Sequence, residues 1–443
     1  MNNYESYKKT DIAWLKEIPS HWEIENISHI FEERKEKNID QKENFILSVV
    51  KNIGVIPYTE KGNVGNKASE DTSNYKMVYP NDIVLNSMNM MIGSLGKSEY
   101  KGVLSQVYYI LKLKEKDKYN INYLTYVFKN QKFYKSLRVL GKGILDHRLR
   151  VPMELLKYEK LPIPPINEQI QIANYLDWKI NEIDKLILIE KEKIKNINKL
   201  MEKQIKGYFE NIFKISSKKI RLRFLYNFQN GISTSKDYIN GNFPFLTYSD
   251  VYRNLFIKEE LSGKINSTKE EQKIYSVKKN DLFITRTSEQ IEDAGKVSMA
   301  VKDIENAVFN GFSIRLRPSF SNHLLGEYVL HYLNSRLVRD KILKTLNLVT
   351  RVSIKQEILK NITIPEIIQE EQIKLLLKIE KIRENILNQI MIMNEKIKNL
   401  QALKQSLIAE VVTGKIDVRN INIPQYEKVV IVSEVNNNDR MEE

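Results

Sequence analysis

The chain has 443 residues, a formal net charge of +14 and a sequence pI near 9.3, a balance that favours a polyanionic partner, nucleic acid before anionic membrane. It contains no cysteine, which excludes disulfides, thiolate zinc sites and cysteine nucleophiles together. No stretch approaches the length of a membrane span and the first residues lack an apolar signal core, so a cytoplasmic protein is expected, with length enough for about three domains.

In chain order, residues 1–160 form a first globular unit. Its opening, AWLKEIPSHWEI, combines Trp14, Leu15, Ile18, Pro19 and Trp22, which suits a clasp on a domain surface. Strand-like segments follow at 45–50, 82–88 and 106–113, separated by turn-rich pieces at 54–67 and 92–102. A helical piece at 122–137 then leads to LGKGILDHRLRVP, and the mixture predicts an α+β domain.

Residues 161–215 begin LPIPPINEQIQIANYLDW, where alternating apolar residues closed by proline run into a Glu-Gln pair, Glu168-Gln169, at the start of a long helix. Apolar residues then recur at a 3-4 spacing: Ala173, Leu176, Ile180, Ile183, Ile187, Ile194, Ile197 and Met201, interrupted by Glu190. That period predicts a coiled-coil seam.

Residues 216–361 repeat the plan of the first unit. DLFITRTS answers DIVLNSM, with Asp281 lying 199 residues after Asp82, and Gly295-Lys296 answers Gly96-Lys97 at the same offset. GFSIRLRP answers QVYYILKL, EYVLHYLNS answers LTYVFKNQ, and Arg351-Val352 answers Arg150-Val151. Residues 362–416 then repeat the helical region, from ITIPEIIQEEQ with Glu371-Gln372 through Leu376, Ile379, Ile386, Ile390, Met393, Ile397 and Leu400. Arg383 and Lys404 interrupt this second seam, and an antiparallel pair of helices would let Glu190 meet Arg383. Two unrelated amphipathic helices would share neither the entrance motif nor the phase of the seam. A polar tail is expected over 417–443.

IPSHWEI at the start, the paired proline and Glu-Gln entrances, FQNGISTSKDYINGNFPFLTYSDV and the closing LIAEVVTGKIDVR resemble the DNA-specificity (S) subunit of type I restriction-modification systems, across all but the tail. The resemblance implies two target-recognition domains separated by two long helices in an antiparallel coiled coil. Each domain would read one half of a split double-stranded DNA site, and the helices would bind two modification (methyltransferase) subunits, joined by restriction subunits in the full complex. Because the loops NSMNMMIGSLGKS and TRTSEQIEDAGKV differ, the bipartite site is expected to be asymmetric. It further implies that this chain is not an enzyme and binds no cofactor, S-adenosylmethionine, ATP and Mg²⁺ being used by the partners. A helix pair of that length is a bar on the order of 58 Å. Half-sites about 10 base pairs apart, one helical turn, would follow. The competing reading is a coiled-coil adaptor whose two globular units bind proteins and form no DNA complex.

DNA-contacting candidates are placed at matched loops: Asn86 and Ser87 opposite Thr285 and Arg286, and Lys97 opposite Lys296. Asn and Arg present paired hydrogen bonds to adenine and guanine edges, whereas lysines meet phosphates more often. Arg286 could equally pair with Glu289. Thr247, Ser249 and Asp250 either line the second unit's site or form an ordinary turn, and Arg150 and Arg351 serve either structure or backbone contact. Catalytic patterns fail. GSLGKS has Met91 where a phosphate loop needs glycine, and the histidines (His21, His29, His147, His323, His331) form no metal-ligand pair. The Pro164-Pro165 step lacks the flanking residues of an amino-methyltransferase motif, and Asp146-His147-Arg148 has the wrong order for a kinase loop.

Overall fold

The structure, a computed structural model, describes residues 3–62, 67–142, 149–233, 241–288, 293–346 and 352–429. Two compact units share the chain, one built from residues 1–191 and 394–443 and the other from 192–393. Each long helix, Ile166–Ile215 and Gln369–Val412, therefore gives one stretch to each unit instead of forming a separate domain.

The first unit is organised on an antiparallel sheet in the order Phe31–Glu33, Tyr108–Leu113, Ile83–Asn86, Leu95–Lys97. Alternation along Ile83–Asn86 sends Ile83 and Leu85 to the main core and Val84 to a smaller cluster on the other face. The helical piece expected at 122–137 is two helices, Ile121–Lys129 and Gln131–Ser136. They break at extended Asn130, whose side chain caps the second by accepting from the Lys132 N–H. Around this core the opening forms a hairpin, Tyr7–Ile12 with Leu15–Pro19, that leads to fully buried Trp22.

Glu168, from the first turn of the long helix, explains the clasp. Its carboxylate is 6% exposed and accepts from the Tyr4 hydroxyl (2.6 Å) and Trp22 Nε1 (2.9 Å), with His21 Nε2 at 2.8 Å. The expected polar tail is packed as far as residue 429. Val418 is fully buried, Gln171 Nε2 donates to the carbonyls of Val418 (2.9 Å) and Ile421 (2.8 Å), and Asn181 Nδ2 donates to that of Glu427 (3.0 Å). Gly414, at φ +73°, turns the chain there; a Cβ would collide with the Pro19 ring.

The second unit repeats the sheet as Tyr226–Asn230, Ser313–Pro318, Leu282–Thr285, Val297–Ala300, with Phe256–Ile257 added in parallel at the edge. The Gln of each Glu-Gln pair has the same buried duty in both units. Gln169 accepts from the Asn120 N–H (2.8 Å) and donates to the carbonyl of Pro164 (2.8 Å). Gln372 accepts from the Leu325 N–H (2.8 Å) and donates to that of Ile367 (2.9 Å). Each amide thus fastens the start of a long helix to the start of a sheet-covering helix. Gln372→Ala would strand the Leu325 N–H and the Ile367 carbonyl. Unfolding of the second unit, followed by hydrogen exchange, is expected to show a loss of about 1–3 kcal/mol.

Within the first unit the long helices run antiparallel, because Asp184 pairs with Lys404 (2.8 Å) and Glu190 with Lys396 (2.6 Å). Glu190 thus meets Lys396 instead of Arg383, which lies in the second unit 3.8 Å from Glu380 on the turn before it. Seam positions Leu176, Ile180, Ile183, Ile187, Ile379 and Ile386 are buried, and Ile194, Ile197, Ile390, Met393, Ile397 and Leu400 are half-buried. In the second unit Phe209 of one helix and Leu375 and Ile379 of the other enter one core.

Candidate functional site

In both units the candidate site stands at one end of a central hairpin, and the other end is an anchor. Asp82 and Asp281 follow Asn81 (φ +70°) and Asn280 (φ +68°), left-handed turns suited to asparagine. Each Asp caps its turn, accepting from the Tyr79 N–H (2.9 Å) or the Lys278 N–H (2.8 Å). Each also holds a two-point arginine pair: Arg34 on Asp82 (2.8 and 3.2 Å) and Arg317 on Asp281 (2.8 and 2.6 Å). Arg34 follows the strand Phe31–Glu33 while Arg317 lies in Ser313–Pro318, so the anchor recurs in kind and not in position.

At the far end the strands part into loops, and the register corrects the matching of residues across them. Ile83 faces Lys97 and Leu85 faces Leu95 in the first unit, while Leu282 faces Met299 and Ile284 faces Val297 in the second. Lys97 therefore corresponds to Met299, and Lys296 to Ser94. The second loop is three residues longer, and the true glycine pair is Gly93 (φ +91°) with Gly295 (φ +76°). GSLGKS contributes the strand Leu95–Lys97 and no phosphate loop.

A second segment meets each loop. In the first unit the Val151 N–H donates to the Ser87 carbonyl (3.0 Å), beside an isolated bridge between Lys142 and Arg150. In the second, the Ile354 N–H donates to the Arg286 carbonyl (2.8 Å), and Thr287–Ser288 pairs with Val352–Ser353. Each tip is thus two converging loops on a rigid sheet, a usual setting for recognition residues. Arg351, Glu289 and Asp146-His147-Arg148 lie outside the described residues.

The candidates fare differently. Ser87 and Thr285 are fully buried, which removes them from direct contact in this conformation; the Thr285 hydroxyl accepts from the Lys296 N–H (2.9 Å) and shapes the loop. Asn86 Oδ1 is taken by the N–H groups of Met88 (3.1 Å) and Asn89 (3.3 Å), a local turn. Lys97 is held by Asn122 Oδ1 (2.8 Å) and Glu99 (2.9 Å), away from the loop. Thr247 and Asp250 form a capping box on the short helix Tyr248–Arg253, with half-buried Ser249 in its first turn. Arg286 is half-buried at the tip, and its guanidinium takes no hydrogen-bond or ion-pair partner among the described residues. Arg150 is exposed and 6.0 Å from the Tyr109 ring.

Lys296 lies in a cluster that sequence reasoning missed. Tyr248 and Tyr252 stack with ring centroids 5.8 Å apart, and the Lys296 ammonium sits 3.8 Å over the Tyr252 ring. Tyr252 donates to Asp293 (2.6 Å), and burial with that bond pushes its hydroxyl up to about 12. Burial draws the Lys296 ammonium down from the ordinary lysine range, against the pull of Asp293 at 3.8 Å. The signal was present as two tyrosines four residues apart in YSDVY, neighbours on one helical face. Cations, tyrosine hydroxyls and ring faces together suit hydrogen bonding and stacking with a polyanion that carries bases. Among the described residues no cluster of His, Asp or Glu is built to hold a metal ion, and no helix is long and apolar enough to cross a membrane.

The type I restriction modification DNA specificity domain matches the chain twice, over residues 19–199 and 217–374. A Methanocaldococcus jannaschii protein provisionally named as the MjaX specificity subunit of a type I restriction enzyme is 27% identical over 217 residues, 46% of this chain and 48% of its own length. The chain thus spans about half of that relative. The MjaVIII specificity subunit of the same organism is 24% identical over 428 residues, 91% of this chain and 95% of its own. A chain in a structure reported for complex assembly of a type I restriction-modification system is similar in fold, with a TM-score of 0.59 at 13% identity, covering 90% of this chain and 99% of that one. Two matches to one DNA-specificity domain, together covering most of the sequence and each enclosing a sheet with the same hairpin plan, make this chain a member of the type I restriction-modification DNA-specificity subunit family.

Proposed function

We propose that each unit reads one half of an asymmetric, bipartite duplex site through its tip. The chain would direct two modification subunits, and restriction subunits with them, to that site. Adenine N6 methylation and ATP-driven cleavage, with S-adenosylmethionine, ATP and Mg²⁺, belong to those partners, and no catalytic step is assigned to this chain. One observation carries the reading. The tips repeat in backbone plan while their side chains differ, an aliphatic loop in one unit and an arginine and tyrosine-lysine cluster in the other. Two readers of two different words need that combination.

Support for protein partners comes from apolar side chains outside the seam. Leu186 and Ile189 are 46% and 50% exposed in the first unit, and Leu377 and Met391 are 67% and 64% exposed in the second. The test is to purify the chain with its modification subunits, locate the modified positions, and exchange residues 216–361 for the counterpart of another family member. One half-site is expected to change and the other to persist; loss of both would overturn separate reading.

A further inference from the structure

The first tip holds aliphatic side chains in solvent by design of its backbone. Met88 and Ile92, on the hairpin loop, are 40% and 42% exposed, and Ile53, on the turn between Leu47–Val50 and Gly54–Pro57, is 43% exposed. The loop is fixed by the Asn86 side chain and by the Ile92 N–H donating to the Asn89 carbonyl (3.2 Å). The Asn52 N–H donates to the Gly93 carbonyl (3.3 Å), tying the Ile53 turn to the same loop. Lys51 is exposed next to it, and Lys142 and Arg150 are exposed on the loop that meets Ser87.

Exposed aliphatic side chains on loops tied to one another, with exposed cations on the same loops, match a particular surface, the floor of the DNA major groove between two phosphate chains. The apolar group on that floor is the C5 methyl of thymine. We propose that Ile53, Met88 and Ile92 recognise thymine methyl groups in the first unit's half-site by van der Waals contact. The proposal rests on the DNA reading above and names its chemistry in one unit. The second tip, with Arg286, Tyr248 and Tyr252, relies on polar contacts instead.

The test uses the full chain with its modification subunits, on the half-site that persists when residues 216–361 are exchanged. Each thymine there is replaced in turn by deoxyuridine, which deletes only the methyl. Affinity is expected to fall about five- to tenfold at one position or more. In the I53S/M88S/I92S variant the thymine and deoxyuridine duplexes should bind alike, with second half-site discrimination and the unfolding midpoint unchanged. The proposal is overturned if that half-site contains no thymine, if every replacement is silent in the unmodified chain, or if the variant keeps the full methyl dependence. A variant that still discriminates but no longer assembles with the modification subunits would make the patch a protein contact and overturn it as well. Absence of any sequence-specific binding would instead bring down the DNA reading itself.

Discussion

Glu168→Ala is expected to destabilise the first unit by about 3–5 kcal/mol, because it removes a buried charge on which three donors converge. Buried Tyr4 and Trp22 would lose their common acceptor, and the exposed His21 would lose its partner. The nearby Asp417 is no substitute, since it is engaged by Arg419 (2.7 Å). Glu168→Gln keeps one acceptor but turns an NH₂ toward a donor, so about 1–3 kcal/mol is expected. The measurement is convenient: Trp14, Trp22 and Trp178 are the only tryptophans and all lie in the first unit. Urea unfolding followed by tryptophan emission therefore reports that unit alone, and an unchanged midpoint would contradict the role given to Glu168.

Acidification is expected to weaken the second unit through His331. Burial, reinforced by the positive charge of Arg383, lowers this imidazole from 6.5 to about 4. The folded unit therefore keeps His331 neutral at a pH where the unfolded chain protonates it. Between these values the unfolded state binds more protons, so stability is fully present above about pH 6.5 and falls as pH drops toward 4. The loss is roughly 3 kcal/mol by pH 4. Hydrogen exchange of the helix Gly326–Asn334 against pH reads it, and His331→Leu should remove this part of the slope. An identical slope in that variant would assign the acid sensitivity elsewhere.

The duplication was legible because both copies must satisfy the same backbone groups. Gln169 and Gln372 occupy the same buried junction, so neither could drift. Asp82 and Asp281 likewise cap the same turn. The loops carry no such constraint. Gly96-Lys97 and Gly295-Lys296 align by spacing alone, but only Gly295 adopts the left-handed turn, and its partner is Gly93. Pairing across the seam was hidden for a related reason. Periodicity fixes which face of a helix is buried, while the register between helices is set by contacts such as Asp184 with Lys404. The packed C-terminal segment did leave a trace, in the alternation of Ile416 and Val418 and of Ile421 and Ile423. The charged and polar residues between them masked it. Tyr248 and Tyr252 were passed over because a six-residue helix has too little period to stand out.

The first unit is assembled from both ends of the sequence, with Val411, Val412 and Val418 in the same core as Trp22 and Leu176. During synthesis the usual order, N-terminal domain first, is therefore unavailable to it. Residues 1–191 must wait on the ribosome, with part of their apolar surface open, until the segment beyond 394 emerges. The contiguous unit 192–393 faces no such delay. A nascent chain that stalls late in translation would present a finished second unit beside an unfinished first, and it is there that chaperones should be found.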